Sequence, residues 1–191
     1  MIQVNTTGIE MRFDTEPGLF SPLRVDRGSL AMLSCVDFEP TDKVLDLRCG
    51  YGLIGIYAAK IIGAERVWMV DNDRTALEYA AKNLALNGAG GLNIVSSAGF
   101  RGLRETNFTK ILCNPPYHAD FSVPKHFIEK GFNRLVVGGA MYFVTKRRTS
   151  YHNQLRSVFG RVRVREVDSY LVFEAVKKSF TYASKEKEIQ S

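Results

Sequence analysis

From Lys43 to Val176, apolar runs of strand length alternate with segments whose apolar residues fall at helical spacing. This rhythm constrains the fold more than any other feature. Alternating strand and helix signals imply an α/β architecture, a mainly parallel sheet covered by helices on both faces. Lys43–Leu47 reads as a strand running into a glycine-bearing turn, and Leu53 to Ile62 as the helix that follows. Glu65–Asp71 is the second strand, and Asp73 is placed to cap a helix carrying Leu77, Ala80, Ala81 and Leu84 on one face, with Gly88 just past its end. Leu92 to Val95 and Ile111 to Asn114 are further strands. A helix opened by Pro124 is expected to carry Phe127, Ile128, Leu135 and Val136. Met141 to Thr145 is the fifth strand and Tyr151 to Phe159 the last helix. Only Asp168-Ser169 separate Val162–Val167 from Tyr170–Val176, too few residues for a crossover helix, so the sheet closes with an antiparallel hairpin.

A chain of 191 residues, 45% hydrophobic and 24% charged, suits one globular domain with a sizeable core. The expected domain spans 1–178, with an N-terminal extension over 1–40 and a polar, frayed tail over 179–191. No apolar run approaches the roughly 20 residues that span a bilayer, so no membrane association and a cytoplasmic location are expected. Cys35, Cys49 and Cys113 lack metal-ligand spacing, and with His118, His126 and His152 they form no set. No metal is expected, and buried free thiols explain the cysteines. The net charge of +6 favours a polyanionic partner.

Two segments carry chemistry. Val44 to Gly52 gives a strand, a tight turn where missing side chains let backbone approach a ligand, and a helix N-terminus that attracts an anionic group. Asp71 ends the next strand, where a carboxylate accepting from a ribose diol belongs. The second segment is Asn114-Pro115-Pro116-Tyr117 at a strand's C-terminal end. Its prolines fix the backbone and donate no N–H, which leaves a stiff corner rich in acceptors. The Asn114 side-chain oxygen and the Pro115 carbonyl suit a flat NH₂ group, and Tyr117 offers a ring to stack on the system that bears it.

Asp46 to Gly52 resembles the first motif of class I S-adenosylmethionine-dependent methyltransferases, and Asn114–Tyr117 matches the motif of those that methylate planar amines or amides. Pro17-Gly18-Leu19-Phe20-Ser21 followed by Asp26-Arg27-Gly28-Ser29 resembles a segment preceding the first motif in the ribosomal RNA small-subunit methyltransferase C (guanine-N2) group and its short single-domain relatives. The resemblance implies a Rossmann-like fold with a seven-stranded, mostly parallel sheet and S-adenosylmethionine as cofactor. It also implies residue roles. Asp46, Arg48, Gly50, Gly52, Asp71, Asn72, Ala98 and Asn114 would lie along the cofactor, with Asp71 on the ribose hydroxyls. Asn114, Pro115, Pro116 and Tyr117 would hold the target amine, and Phe20, Ser21, Asp26, Gly28 and Ser29 would shape the pocket from the N-terminal side. Two positions depart from the family pattern. Arg48 replaces a glycine, and could pair with the cofactor carboxylate or block the site. Ala98 replaces an aspartate that accepts from adenine, a lost hydrogen bond of about 1 to 1.5 kcal/mol.

Lys146-Arg147-Arg148 follows the fifth strand and is a candidate phosphate-binding surface, with Arg161, Arg163 and Arg165 a second basic stripe on one strand face. The bland reading is a solvated face, or charge that guards an edge strand. Three functions stay open. The first is methylation of an exocyclic base amine of RNA, with guanine N2 of ribosomal RNA leading. The second is methylation of a protein glutamine amide or a small molecule. The third is a cofactor-impaired RNA-binding protein on the same scaffold. Substrate selection would come from this surface or from a second copy of the chain, as a homodimer.

Overall fold

The computed structural model describes residues 1–115 and 120–184. In chain order the elements are β1 (Ile2–Thr6), β2 (Ile9–Phe13), α1 (Arg27–Leu33), β3 (Val44–Leu47), α2 (Leu53–Ile62), β4 (Val67–Asp71), α3 (Arg74–Leu86), β5 (Asn93–Ser96), β6 (Phe108–Cys113), α4 (Ser122–Arg134), β7 (Leu135–Thr145), α5 (Thr149–Phe159), β8 (Val162–Val167) and β9 (Tyr170–Val176). A seven-stranded sheet has the order β5-β4-β3-β6-β7-β9-β8. The pairs among β3 to β7 are parallel, and β9 runs antiparallel to both β7 and β8. From β3 the chain steps outward through β4 to β5 and then returns to β6 on the other side of β3. The order reverses there, and a crevice opens at the C-terminal ends of β3 and β6.

The period of two along each central strand explains why both faces are covered. Val44, Leu112, Tyr142 and Val144 join one core with α1, α2, α3 and the β1–β2 hairpin, whereas Leu45, Leu47, Ile111, Cys113, Met141 and Phe143 join the other with α4 and α5. The closing β8–β9 hairpin turns through Asp168 and Ser169, both at positive φ. No helix of the described residues is long and apolar enough to cross a membrane. Cys35, Cys49 and Cys113 are free and buried.

Three details add to or differ from the sequence expectation. Within the N-terminal extension, β1 and β2 pair through a turn at Thr7-Gly8, with Val4, Met11 and Phe13 packed in the core. Asn83 of α3 and Asn87 at its C-terminal cap tie this hairpin down, exchanging side-chain hydrogen bonds with the backbone of Asp14 and Arg12. Leu135 and Val136 do not extend α4 but begin β7. The buried Lys177 ammonium donates to the carbonyls of Phe132 (2.9 Å) and Leu135 (2.8 Å), closing the helix end where cationic donors are favoured. β6 ends at Cys113, so Asn114 stands just past the strand rather than in it.

Candidate active site

The crevice is built from the ends of four neighbouring strands. β3 delivers the turn Arg48–Gly52, β4 ends in Asp71, β5 leads to Ala98, and β6 presents Asn114. Gly52, at φ +97, lies in the left-handed region that favours glycine, and its carbonyl accepts from Ile56 to start α2. Gly55 lets α2 settle on β4: a Cβ there would stand 2.5 Å from Met69. That close approach brings the Gly55 N–H to Asp46 Oδ2 at 2.8 Å. Asp46 is wholly buried and lines neither cavity described below. It braces the turn from behind. Burial raises its carboxyl to about 7, with the Gly55 N–H opposing and the Asp71 charge adding to the shift.

Two cavities occupy the crevice. One, with about 570 Å³ of empty space partly open to solvent, is lined by Phe20, Asp26, Ser29, Arg48, Gly50, Tyr51, Asp71 and Asn114, among others. The other, about 1080 Å³ and likewise open, is lined by Arg48, Asn72, Ala98, Gly99, Arg101, His126 and Phe127 together with the start of α4. Arg48 belongs to both and stands between them. Its backbone is at φ +68, a conformation that costs a non-glycine residue of order 1 kcal/mol or more. Its guanidinium meets Asp71 Oδ1 at 3.1 Å.

Asp71 is heavily engaged. Besides Arg48, its Oδ1 accepts from the Asn72 N–H at 2.8 Å and the Asp73 N–H at 3.1 Å, and its Oδ2 accepts from the Gly50 N–H at 3.0 Å. Among the described residues, Asn114 is bound on one side only. Its Nδ2 donates to Asp26 Oδ2 at 2.7 Å and to Ser29 Oγ at 3.0 Å. A carboxylate only accepts, so the amide orientation is fixed by chemistry: nitrogen toward Asp26, oxygen away. Asn114 Oδ1 is buried and has no hydrogen-bond partner among the described residues. Leaving such an acceptor unmade costs about 1 to 3 kcal/mol. A ligand N–H would repay it.

Sequence reasoning placed Asp26 and Ser29 near the pocket without seeing that they orient Asn114. Asp26 also caps α1, accepting from the Ser29 N–H at 2.6 Å. The signal was readable as Asp26 preceding Gly-Ser and an apolar run, the pattern of a helix start. Asn83, fully buried, was missed altogether. Its amide donates to the Tyr51 carbonyl at 3.0 Å, linking the turn to the N-terminal hairpin. Tyr51 packs its ring on Phe13 and also lines the first cavity. Its hydroxyl is pushed up to about 12 by burial and the Asp26 charge, and so keeps its proton. Burial also holds the Cys49 and Cys113 thiols well above their ordinary range, which leaves them poor nucleophiles.

Pro116 and Tyr117 lie outside the described residues. Lys146, Arg147 and Arg148 are exposed at the C-terminal end of β7, on the same sheet edge as Asn114, but line neither cavity. The Lys146 ammonium sits 4.8 Å from the Tyr170 ring centroid. Arg163 and Arg165 share Glu174 of the adjacent strand, at 3.3 and 3.8 Å, so part of that stripe is already paired within the sheet. Among the described residues, no cluster of three or more His, Cys, Asp or Glu could hold a metal ion.

Comparison with known proteins agrees with this geometry. The family described as Methyltransferase small domain matches residues 10–174. The ribosomal RNA small subunit methyltransferase C of Pseudomonas putida (strain GB-1) is 30% identical over 164 residues, which cover 83% of this chain and 49% of that protein. The ribosomal RNA large subunit methyltransferase G of Alteromonas mediterranea is 31% identical over 179 residues, covering 88% of this chain and 44% of that one. Among solved structures, the T. thermophilus 16S rRNA N2 methyltransferase RsmC, in complex with AdoMet and guanosine, superposes with a TM-score of 0.80 at 28% identity, covering 92% of this chain and 50% of the other. The chain thus spans about half the length of these relatives. By the match over most of its length, the chain belongs to the methyltransferase small domain family.

Proposed function

We propose that this protein is an S-adenosylmethionine-dependent N-methyltransferase acting in the cytoplasm on an exocyclic base amine of RNA, with guanine N2 of ribosomal RNA as the leading target. One domain over residues 1–178 would carry the activity. The observation that carries the reading is Asn114, which lines the same cavity as the glycine turn and whose amide, fixed by Asp26 and Ser29, has a buried oxygen with no partner among the described residues. The similarity to rRNA methyltransferases, one of them solved with AdoMet and guanosine, supports the choice of cofactor and base.

The residues present fit the cofactor in two respects. Gly50 leaves the cavity side of the turn free of bulk, and Asp71, Asn72 and Ala98 lie along the path from turn to second cavity. When bound, the cofactor supplies an electrophilic methyl on a sulfonium. The protein's task is then to position a poor nucleophile. An exocyclic amine has its lone pair drawn into the ring, and an acceptor on its N–H orients it and favours a pyramidal nitrogen. Asn114 Oδ1 supplies that acceptor, with the Pro115 carbonyl as the second. As positive charge develops on the nitrogen, these fixed dipoles stabilise it without reorganising. In a helical RNA the base would leave the stack to reach them, with Phe20 and Tyr117 offering aromatic surface. Lys146, Arg147 and Arg148 would hold phosphates beside the pocket.

The test is transfer of a labelled methyl from S-adenosylmethionine to ribosomal RNA purified from cells lacking the gene, followed by mass mapping of the nucleosides. N2-methylguanosine at a discrete position is expected. Label in neither rRNA nor tRNA would overturn the RNA reading, and label in a protein amide would move the function to the second candidate class.

A further inference from the structure

A carboxylate offers about four lone-pair sites to hydrogen-bond donors. At Asp71, Oδ1 is fully engaged by the backbone N–H groups of Asn72 and Asp73 and by the Arg48 guanidinium, while Oδ2 accepts from the Gly50 N–H and keeps one site among the described residues. The backbone donors are fixed by the strand end and the turn. Arg48 alone reaches Asp71 through a flexible side chain, one-quarter exposed and with a cavity on either side into which it can swing. A ribose hydroxyl can therefore bond Asp71 Oδ1 only by taking the place of Arg48, and a diol that spans both oxygens displaces it.

We propose that Arg48 is a built-in competitor for the ribose site. Its guanidinium closes the crevice between the two cavities, and binding of a nucleoside cofactor proceeds by exchange of the Arg48–Asp71 ion pair for hydroxyl hydrogen bonds. This rests on the cofactor reading above and adds to it that one side chain sets how tightly the site loads. The exchange trades a charge-assisted contact for neutral ones, so the ligand gains less at Asp71 than it would with glycine at position 48. Glycine also suits the φ of +68, so Arg48→Gly removes the plug without straining the turn.

The experiment is calorimetric titration of S-adenosylhomocysteine into the wild-type chain, Arg48→Gly, Arg48→Met, Asp71→Asn and the Arg48→Gly/Asp71→Asn double variant, with thermal unfolding to confirm that each is folded. Both Arg48 variants are expected to bind about ten-fold more tightly or better. Asp71→Asn should weaken binding more in the Arg48→Gly background than in the wild type, because only there is Asp71 fully available to ligand. That coupling separates competition from a general loosening of the turn. Equal or weaker binding by Arg48→Gly and Arg48→Met, or no coupling to Asp71, overturns the proposal and leaves the cofactor reading standing. Failure of every folded variant to bind at millimolar ligand overturns both.

Discussion

Asn114 and Asp71 flank the same glycine turn, one just past β6 and the other at the end of β4, with β3 between them. They are left in opposite states. Asn114 has its nitrogen tied to Asp26 and Ser29 and its oxygen buried without a partner among the described residues, whereas Asp71 has both oxygens engaged, one of them by Arg48. On the proposed reading, the side meant for the amine is arranged in advance for a donor, and the side meant for the ribose is held by the protein's own cation. Rate and loading would then answer to different residues, and substitutions on the two sides are expected to act on different constants.

The sharpest way to break this contrast is Asn114→Ala. Loss of the fixed acceptor is expected to lower the single-turnover rate of methyl transfer on the order of 10²-fold while changing affinity for S-adenosylhomocysteine only a few-fold. A loss shared equally between binding and rate would mean that Asn114 serves the cofactor instead. Asp26→Ala tests how the acceptor is aimed. Freed from its carboxylate, the Asn114 amide can rotate, and α1 loses its cap. A rate loss of about ten-fold and a stability loss of about 1 kcal/mol are expected, the second measured by denaturant unfolding. Stability loss with full activity would show that Asp26 only caps.

The turn between the two sides gives a pH signature. Asp46 titrates near 7 in the native state against 3.8 as its ordinary value. Between those values the native protein holds a proton that the unfolded chain has released. This contribution to stability is therefore complete below about pH 4 and is lost as pH rises through about 7. Asp46→Asn is expected to flatten that decline, whose slope for one group cannot exceed about 1.4 kcal/mol per pH unit. An unchanged slope in urea titrations across this range would place the titration elsewhere. The smallest expected effect lies at the rim. Replacing Lys146, Arg147 and Arg148 by alanine should reduce the slope of log affinity against log salt for RNA by about 0.7 for each single-strand phosphate that these side chains neutralise. No change would mark a solvated face.

Most of this fold was legible because its strands are short apolar runs punctuated by strong signals: the glycine turn at Cys49–Gly52, the Asp73 cap, and the two-residue turn at Asp168-Ser169. Where the signal was weak, the reading strayed. Thr7-Gly8 turns the first hairpin with both residues at positive φ, but threonine is seldom used there and the strands are half polar. Leu135 and Val136 continue an apolar spacing that suits a helix equally well. The lysine that ends that helix lies far along the chain at 177, a tertiary contact no local pattern contains. The site shows the same division. Asn114, Gly50 and Asp71 were evident from motif and strand end, and the oddity of Arg48 was visible from its place in the turn. That it pairs with Asp71, and that Asp26 sets the Asn114 amide, depend on which side chains the sheet brings within reach.

A crystal structure of the protein with S-adenosylhomocysteine and guanosine tests the central claim most directly. The expected result is the exocyclic nitrogen of guanine within about 3 Å of Asn114 Oδ1 and in line with the sulfur, the Asn114 nitrogen still on Asp26. Guanosine bound with that amine turned away from Asn114, or the amide reversed so that its oxygen no longer faces the cavity, would contradict it.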